Sequence, residues 1–172
     1  MYYQIINKLF IKYILLSSKS ASSVNNVLQK IEYFCVYQER CHLEVKEKLR
    51  TLGVYGNEID EIIVQLIATN FLNEERFASI FSISKFHQKK WGKVRITNEL
   101  KVRKISSYLI TKAIKEIPEE EYFETFTKLA IHQWELISEK NSIKKRKKFC
   151  DYLLRKGWES DLIYKIVKEL EV

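Results

Sequence analysis

The sequence predicts an all-α chain, an elongated and curved array of three tandem three-helix, helix-turn-helix-like modules, and three observations carry that prediction. The first is a pattern that occurs three times: a leucine, four residues later a glycine or its replacement, an apolar residue directly after it, and then an apolar ladder. The copies read Leu49, Gly53, Val54, Ile59, Ile62, Ile63, Leu66; then Leu100, Lys104, Ile105, Ile110, Ala113, Ile114, Ile117; then Leu153, Gly157, Trp158, Ile163, Ile166, Val167, Leu170. Offsets shared in register this way mark a tandem repeat. The second observation is a scarcity of turn residues, one proline and four glycines in 172 residues, where a sheet-rich chain would need them at short intervals. The third is ample core material, with 46% apolar residues including 9 Phe, 10 Tyr and 3 Trp, which argues against disorder.

Residues 1–22 read as an N-terminal extension. Leu9, Phe10, Ile11, Tyr13, Ile14, Leu15 and Leu16 form an apolar run after a basic start, with small polar residues following at 17–23. Lys12 interrupts the run, which is too short to span a bilayer. An accessory amphipathic or disordered segment is the preferred reading and an export signal the competing one.

The first module occupies 23–72. Val24, Leu28, Ile31, Phe34 and Cys35 fall at helical spacing and predict a helix to about Gln38. Leu43 to Thr51 predicts a second helix, after which Gly53 suits a left-handed residue. Asn57, with Asp60 three later, is expected to cap the third, whose inward residues are Ile59, Ile62, Ile63 and Leu66. The second module, 73–118, opens on Asn73 as N-cap with Glu74 and Glu75 in the first turn. Its first helix carries Phe77, Ile80 and Phe81 toward Trp91 and Gly92. Ile96 and Leu100 lie on the second, and Ser106 with Ser107 start a third that stops before Pro118. The third module, 119–172, begins with Glu119 to Glu121 and an apolar side of Phe123, Phe126, Leu129, Ala130 and Ile137. A helix from Ser142 to Lys156 ends at Gly157, and Ser160 with Asp161 opens the last one. Three short helices bury little alone, so each module is expected to lean on its neighbour.

Catalytic patterns are not found. His42, His87 and His132 fall in different modules, without a thiol, hydroxyl or paired acids at a motif spacing, and no phosphate-cradling glycine loop or dinucleotide fingerprint occurs. The expectation is a protein that is not an enzyme and needs no cofactor or metal. Cys35, Cys41 and Cys150 are an odd number at unpaired spacings, which fits buried thiols in a reducing, cytoplasmic compartment better than a disulfide framework.

Charge is the better lead. The net charge of +8 is concentrated in residues 73–117, with 11 basic and 4 acidic side chains, whereas 118–172 hold 11 of each. Lys85, Lys89, Lys90, Lys93, Arg95, Lys101, Arg103 and Lys104 crowd this segment, with Phe86, His87 and Trp91 among them. Cations near aromatics suit phosphates and stacked bases, or an acidic protein surface, and a solvated face is the competing reading. The consecutive cations Lys144, Lys145, Arg146, Lys147 and Lys148 circle a helix beside acids, which favours solvation.

Asn73-Glu74-Glu75-Arg76-Phe77-Ala78, followed by Trp91-Gly92-Lys93-Val94-Arg95-Ile96 and Glu99-Leu100, resembles the signature of the RecX family, bacterial regulators of the RecA recombinase. Cys35 through Glu39-Arg40, with Glu44, Val45, Leu49 and Gly53, is similar to that family's first repeat, and Tyr152-Leu153 through Gly157-Trp158 to its third. The likeness covers about residues 24–170. It implies a monomeric array that binds RecA filaments and the DNA within them, with weak direct binding to single-stranded DNA and no membrane association. Such a protein restrains strand exchange and ATPase activity in recombination and repair. Lys104 departs from the family's usual glycine. Phe77 is expected in the core, and Arg76 as either an ion-pair member or a partner contact. Lys93 and Arg95 are the first choices for contact with phosphate or an acidic recombinase surface, and Trp91 is read as core before stacking platform. A stand-alone helix-turn-helix-like DNA binder and a helical adaptor for another protein are the rival readings.

Overall fold

The computed structural model describes residues 26–171. The N-terminal apolar run and the extension containing it lie outside these residues. The described chain is helical, with α1 (26–37), α2 (His42–Thr51), α3 (Asn57–Ala68), α4 (Glu74–Lys89), α5 (Lys93–Val102), α6 (Ser107–Lys115), α7 (Glu119–Leu136), α8 (Ser142–Lys156) and α9 (Ser160–Leu170). These form tandem three-helix modules, and no strand occurs among the described residues. The chain divides into two compact units, one ending at Asn73 and one beginning at Glu74.

The opening part of the repeated pattern is a helix C-terminus built three times. In a Schellman motif the chain turns left-handed just past the helix, the next amide bonds back to the last turn, and an apolar residue after the turn covers an apolar residue before it. Gly53, Lys104 and Gly157 all have positive φ, at 85°, 61° and 83°. Val54 N donates to Leu49 O at 3.1 Å, Ile105 N to Leu100 O at 3.1 Å and Trp158 N to Leu153 O at 3.2 Å. Each of these six residues is buried. The leucine, the glycine position and the apolar residue that follows are therefore the three sequence requirements of one turn, and the ladder beyond them is the inward face of the next helix.

In the first unit that ladder closes the core: Ile59, Ile62, Ile63 and Leu66 of α3 pack with Ile31 and Cys35 of α1 and with Val45 and Leu49 of α2. In the second, α6 packs on α4 and α5, and α7 and α8 both pack on α9. Burying one such Leu or Ile side chain contributes roughly 1.5–3 kcal/mol, which is what holds helices of 9 to 18 residues that would be marginal alone.

Two details of the sequence reading need correction. Gly56, at φ 63°, occupies the N-cap of α3 and Asn57 is already its first helical residue, so the amide side chain does not cap it. On α7, Tyr122 is buried and Phe123 is 47% exposed. The acidic start of α7 gives no helical phase, and Tyr122 in place of Phe123 joins the expected Phe126 and Ala130 on the inward stripe.

Candidate functional site

Helix α5 begins without the usual devices. Its N-cap is Gly92, which has no side chain to accept from the first turn, and that turn holds no acid. Helix starts leave several N–H groups without a partner and carry a partial positive charge, so acceptors must come from elsewhere. They come from the third module. Gly92 N donates to Lys156 O at 2.9 Å and Val94 N to Gly157 O at 3.1 Å. Between them, Lys93 N donates to the Tyr122 hydroxyl at 2.9 Å. The start of α5 thus meets the end of α8, and the orphan donors of one helix satisfy the orphan acceptors of the other.

Two glycines permit this approach. A Cβ on Gly92 would lie 2.2 Å from the Gly157 carbonyl oxygen, and one on Gly157 would lie 2.2 Å from Cβ of Arg95. Tyr122 locks the other side. Its hydroxyl donates to Glu159 Oε2 at 2.6 Å while accepting from Lys93 N. Its ring packs against that of Trp158, tilted by 39° with centroids 4.6 Å apart. Burial, reinforced by the bond to Glu159, pushes the phenol well above its ordinary value, so it stays a donor throughout the physiological range.

This joint sorts the nine cations picked out in the sequence. Lys93 sets its ammonium 4.3 Å from the Tyr122 ring centre, and Arg95 lies 4.1 Å over Trp91 while its Nη1 donates to Arg155 O at 2.8 Å. Both therefore belong to the joint itself. Lys85 rests against Phe81 and Trp91, and Arg103 pairs with Glu99 at 2.8 Å and covers Phe81. Arg76 is half-buried beside Phe77, which is in the core. Lys89, Lys90, Lys101 and Lys104 are exposed, and no ion pair among the described residues uses them. The cationic surface of the second module is thus smaller than the run of charges suggests. The run at 144–148 is engaged in part: Lys148 pairs with Glu139 at 2.9 Å, Arg146 approaches Glu171 at 3.8 Å, and Lys145 lies 4.5 Å over Trp134.

Sequence reasoning missed Lys156. This residue follows the charge run by a full two turns and shares no motif with the middle module, yet its Nζ donates to the carbonyl of Lys89 at 2.9 Å. It is held below the ordinary lysine value by burial first and then by Arg95 and Lys89. The uncapped start of α5, visible in the sequence as Gly92 followed by no acid, was the available signal that this segment docks onto something.

Other chemistry is sparse. His87 Nε2 sits 3.0 Å from Glu121, the three cysteines are buried and not joined in disulfides, and no group of three or more metal-ligating side chains forms among the described residues. No helix among those residues is long and apolar enough to cross a membrane.

An all-α chain of tandem three-helix modules, with exposed lysines on the second of them, is a helical-repeat protein. Residues 73–114 match the second three-helix domain of RecX and residues 119–167 match the third. The chain belongs to the RecX family. It is 26% identical over 144 residues to the regulatory protein RecX of Bacillus thuringiensis (strain Al Hakam), a match covering 84% of this chain and 53% of that one. To the regulatory protein RecX of Bacillus cytotoxicus it is 27% identical with the same coverage. The chain therefore spans about half the length of the curated relatives it matches. The crystal structure of RecX from Lactobacillus salivarius superimposes with a TM-score of 0.74 at 25% identity, covering 88% of this chain and 98% of that one. A second crystal structure, of a regulatory protein RecX, gives 0.77 at 18% identity over 88% and 75%, a likeness of fold.

Proposed function

We propose that this chain is a non-enzymatic, cytoplasmic regulator that binds RecA–DNA filaments as a monomer and inhibits the recombinase and its ATPase in recombination and repair. The observation that carries the reading is the exposed set Lys89, Lys90, Lys101 and Lys104, on a chain of a family whose named members are regulatory proteins. A RecA–DNA filament offers phosphates and acidic side chains together, and a surface of uncompensated lysines gains from both.

The test is the ATPase rate of RecA filaments on single-stranded DNA with this chain added below one copy per recombinase subunit. Inhibition is expected, weakening as salt rises. Charge reversal at Lys89, Lys90, Lys101 and Lys104 together should abolish it, while reversal at Lys144 and Lys147 of α8 should leave most of it. Lys93 and Arg95 are left out of this set because reversing them would open the joint. Tight binding to bare DNA without any inhibition would overturn the proposal in favour of a stand-alone DNA binder.

A further inference from the structure

The joint of the second and third modules shows what one face of a module receives. On the second module that face is made by the last turn of α4 and the start of α5, and the acid-rich start of α7 enters it. Phe86 packs 5.7 Å from the Tyr122 ring, Lys93 sets its ammonium 4.3 Å from the same ring, and His87 Nε2 meets Glu121 at 3.0 Å. The occupant is an aromatic ring beside carboxylates, Glu119-Glu120-Glu121-Tyr122 in sequence.

The third module has the corresponding face, at the last turn of α7 and the start of α8. It encloses a cavity of about 710 Å³ with an apolar floor of Trp134, Ile143 and Leu170. Ile143 is 78% exposed, and Leu136, at the end of α7, 62%. Apolar side chains this open at adjoining helix ends gain from being covered. Lys140, Lys145 and Arg146 line the same cavity. Its two acids are already engaged, Glu171 with Arg146 at 3.8 Å and Glu139 with Lys148 at 2.9 Å. No ion pair among the described residues uses Lys140 or Lys145.

The two faces correspond part by part. Trp134 stands in the last turn of its helix as Phe86 does, and Lys145 near the start of α8 answers to Lys93 at the start of α5. Lys145 lies 4.5 Å over Trp134 of its own module, whereas Lys93 lies over the ring of its occupant. One difference limits what can bind. Asn141 accepts from Lys144 N at 3.0 Å and caps α8 from within, while α5 takes its acceptors from the neighbouring module. An occupant of the third module's face therefore binds through side chains.

We infer that this face is a docking site for an acidic segment of another protein, with an aromatic anchor among its carboxylates. The ring would cover Trp134 and Ile143, and the carboxylates would meet Lys140 and Lys145. No segment of this chain fits the role: Tyr122 is 1% exposed within the joint, and residues 1–25 contain no acid. The site lies apart from the exposed lysines of the second module and does not depend on the filament reading.

The experiment uses a fluorescein-labelled peptide with the sequence of residues 118–125, the segment that fills the equivalent face, and follows its anisotropy as the full chain is added. Binding is expected, and its absence overturns the site. Lys140→Glu with Lys145→Glu should weaken it on the order of tenfold. Lys144→Glu with Lys147→Glu, the same charge change on α8 outside the cavity, should cost less than about twofold. Ile143→Gln should cost about threefold. Lys145→Glu puts a carboxylate near a helix start, where it is favoured, so the melting temperature should not fall; if it does, Lys140→Gln with Lys145→Gln carries the test with a smaller loss. Equal losses from the two lysine pairs would reduce binding to general charge attraction and overturn the site. A peptide with glutamine for every glutamate, or with alanine for its tyrosine, should bind more weakly, and equal binding by either overturns the assigned partner chemistry. An oligothymidylate that displaces the peptide and binds more tightly, with the same dependence on Lys140 and Lys145, would make the face a nucleic-acid surface and overturn the protein partner.

Discussion

The turns that follow Leu49 and Leu153 have the same hydrogen bonds and the same left-handed residue, yet they carry different loads. A Cβ on Gly53 would meet nothing within 4 Å, whereas one on Gly157 would strike the backbone of Arg95. Gly53 is needed for its φ alone; Gly157 is needed for its φ and for the approach of α5. A repeated position therefore has a common minimum role, the turn, to which one copy adds an interface. The carbonyls that end α8 show the added role directly, because Lys156 O and Gly157 O accept from the second module.

Substituting alanine across these glycines separates the two loads. Gly157→Ala combines left-handed strain of about 1–2 kcal/mol with a backbone collision, and is expected to destabilise the second unit by about 3 kcal/mol or more. Gly92→Ala isolates the collision, since Gly92 has φ −77° and no strain to add; a cost of about 1–3 kcal/mol is expected. Urea unfolding followed by tryptophan fluorescence reports on it, because Trp91 and Trp158 both flank the joint. If Gly92→Ala proves neutral, the close approach of α5 to α8 is wrong. Next comes Gly53→Ala, expected to cost about 1 kcal/mol through strain alone. A Gly53 effect as large as that of Gly157 would erase the distinction between the two turns.

The sequence shows much of this and hides the rest for a physical reason. Schellman turns and amphipathic ladders are local, so Leu, Gly and the next apolar residue announce them in any single copy. Gly157 as the end of α8 and Ser106 at the start of α6 are legible for the same reason, and the Ser106 hydroxyl does accept from Leu109 N at 3.3 Å. The joint is not local. Arg95 meets Arg155 across 60 residues of chain, and nothing in either segment names the other. Lys93 and Arg95 accordingly read as free cations beside a glycine, while the structure uses their aliphatic and charged parts against Tyr122 and Trp91. Tyr122 was hidden differently: its hydroxyl serves two modules at once, and a periodicity count weighs only how apolar it is.

Lys104 is the copy of this turn in which the glycine is replaced, and it gives the smallest predicted effect and the sharpest one. Its φ of 61° places it in the left-handed region with a side chain, as does Lys90 at 51°, and both belong to the exposed cations of the second module. Lys104→Gly should relieve the strain while giving the unfolded chain more freedom, for a net gain of about 0.5–1 kcal/mol. Lys104→Asn should preserve stability nearly as well, because asparagine tolerates this conformation, while also removing the charge. If the lysine is present for binding, both variants should inhibit RecA filaments less than the parent and show a shallower salt dependence, with melting temperature unchanged or raised. That opposite movement of stability and inhibition is what a turn sacrificed to function requires. Inhibition unchanged in both variants would reduce Lys104 to a tolerated substitution, and the exposed surface to Lys89, Lys90 and Lys101.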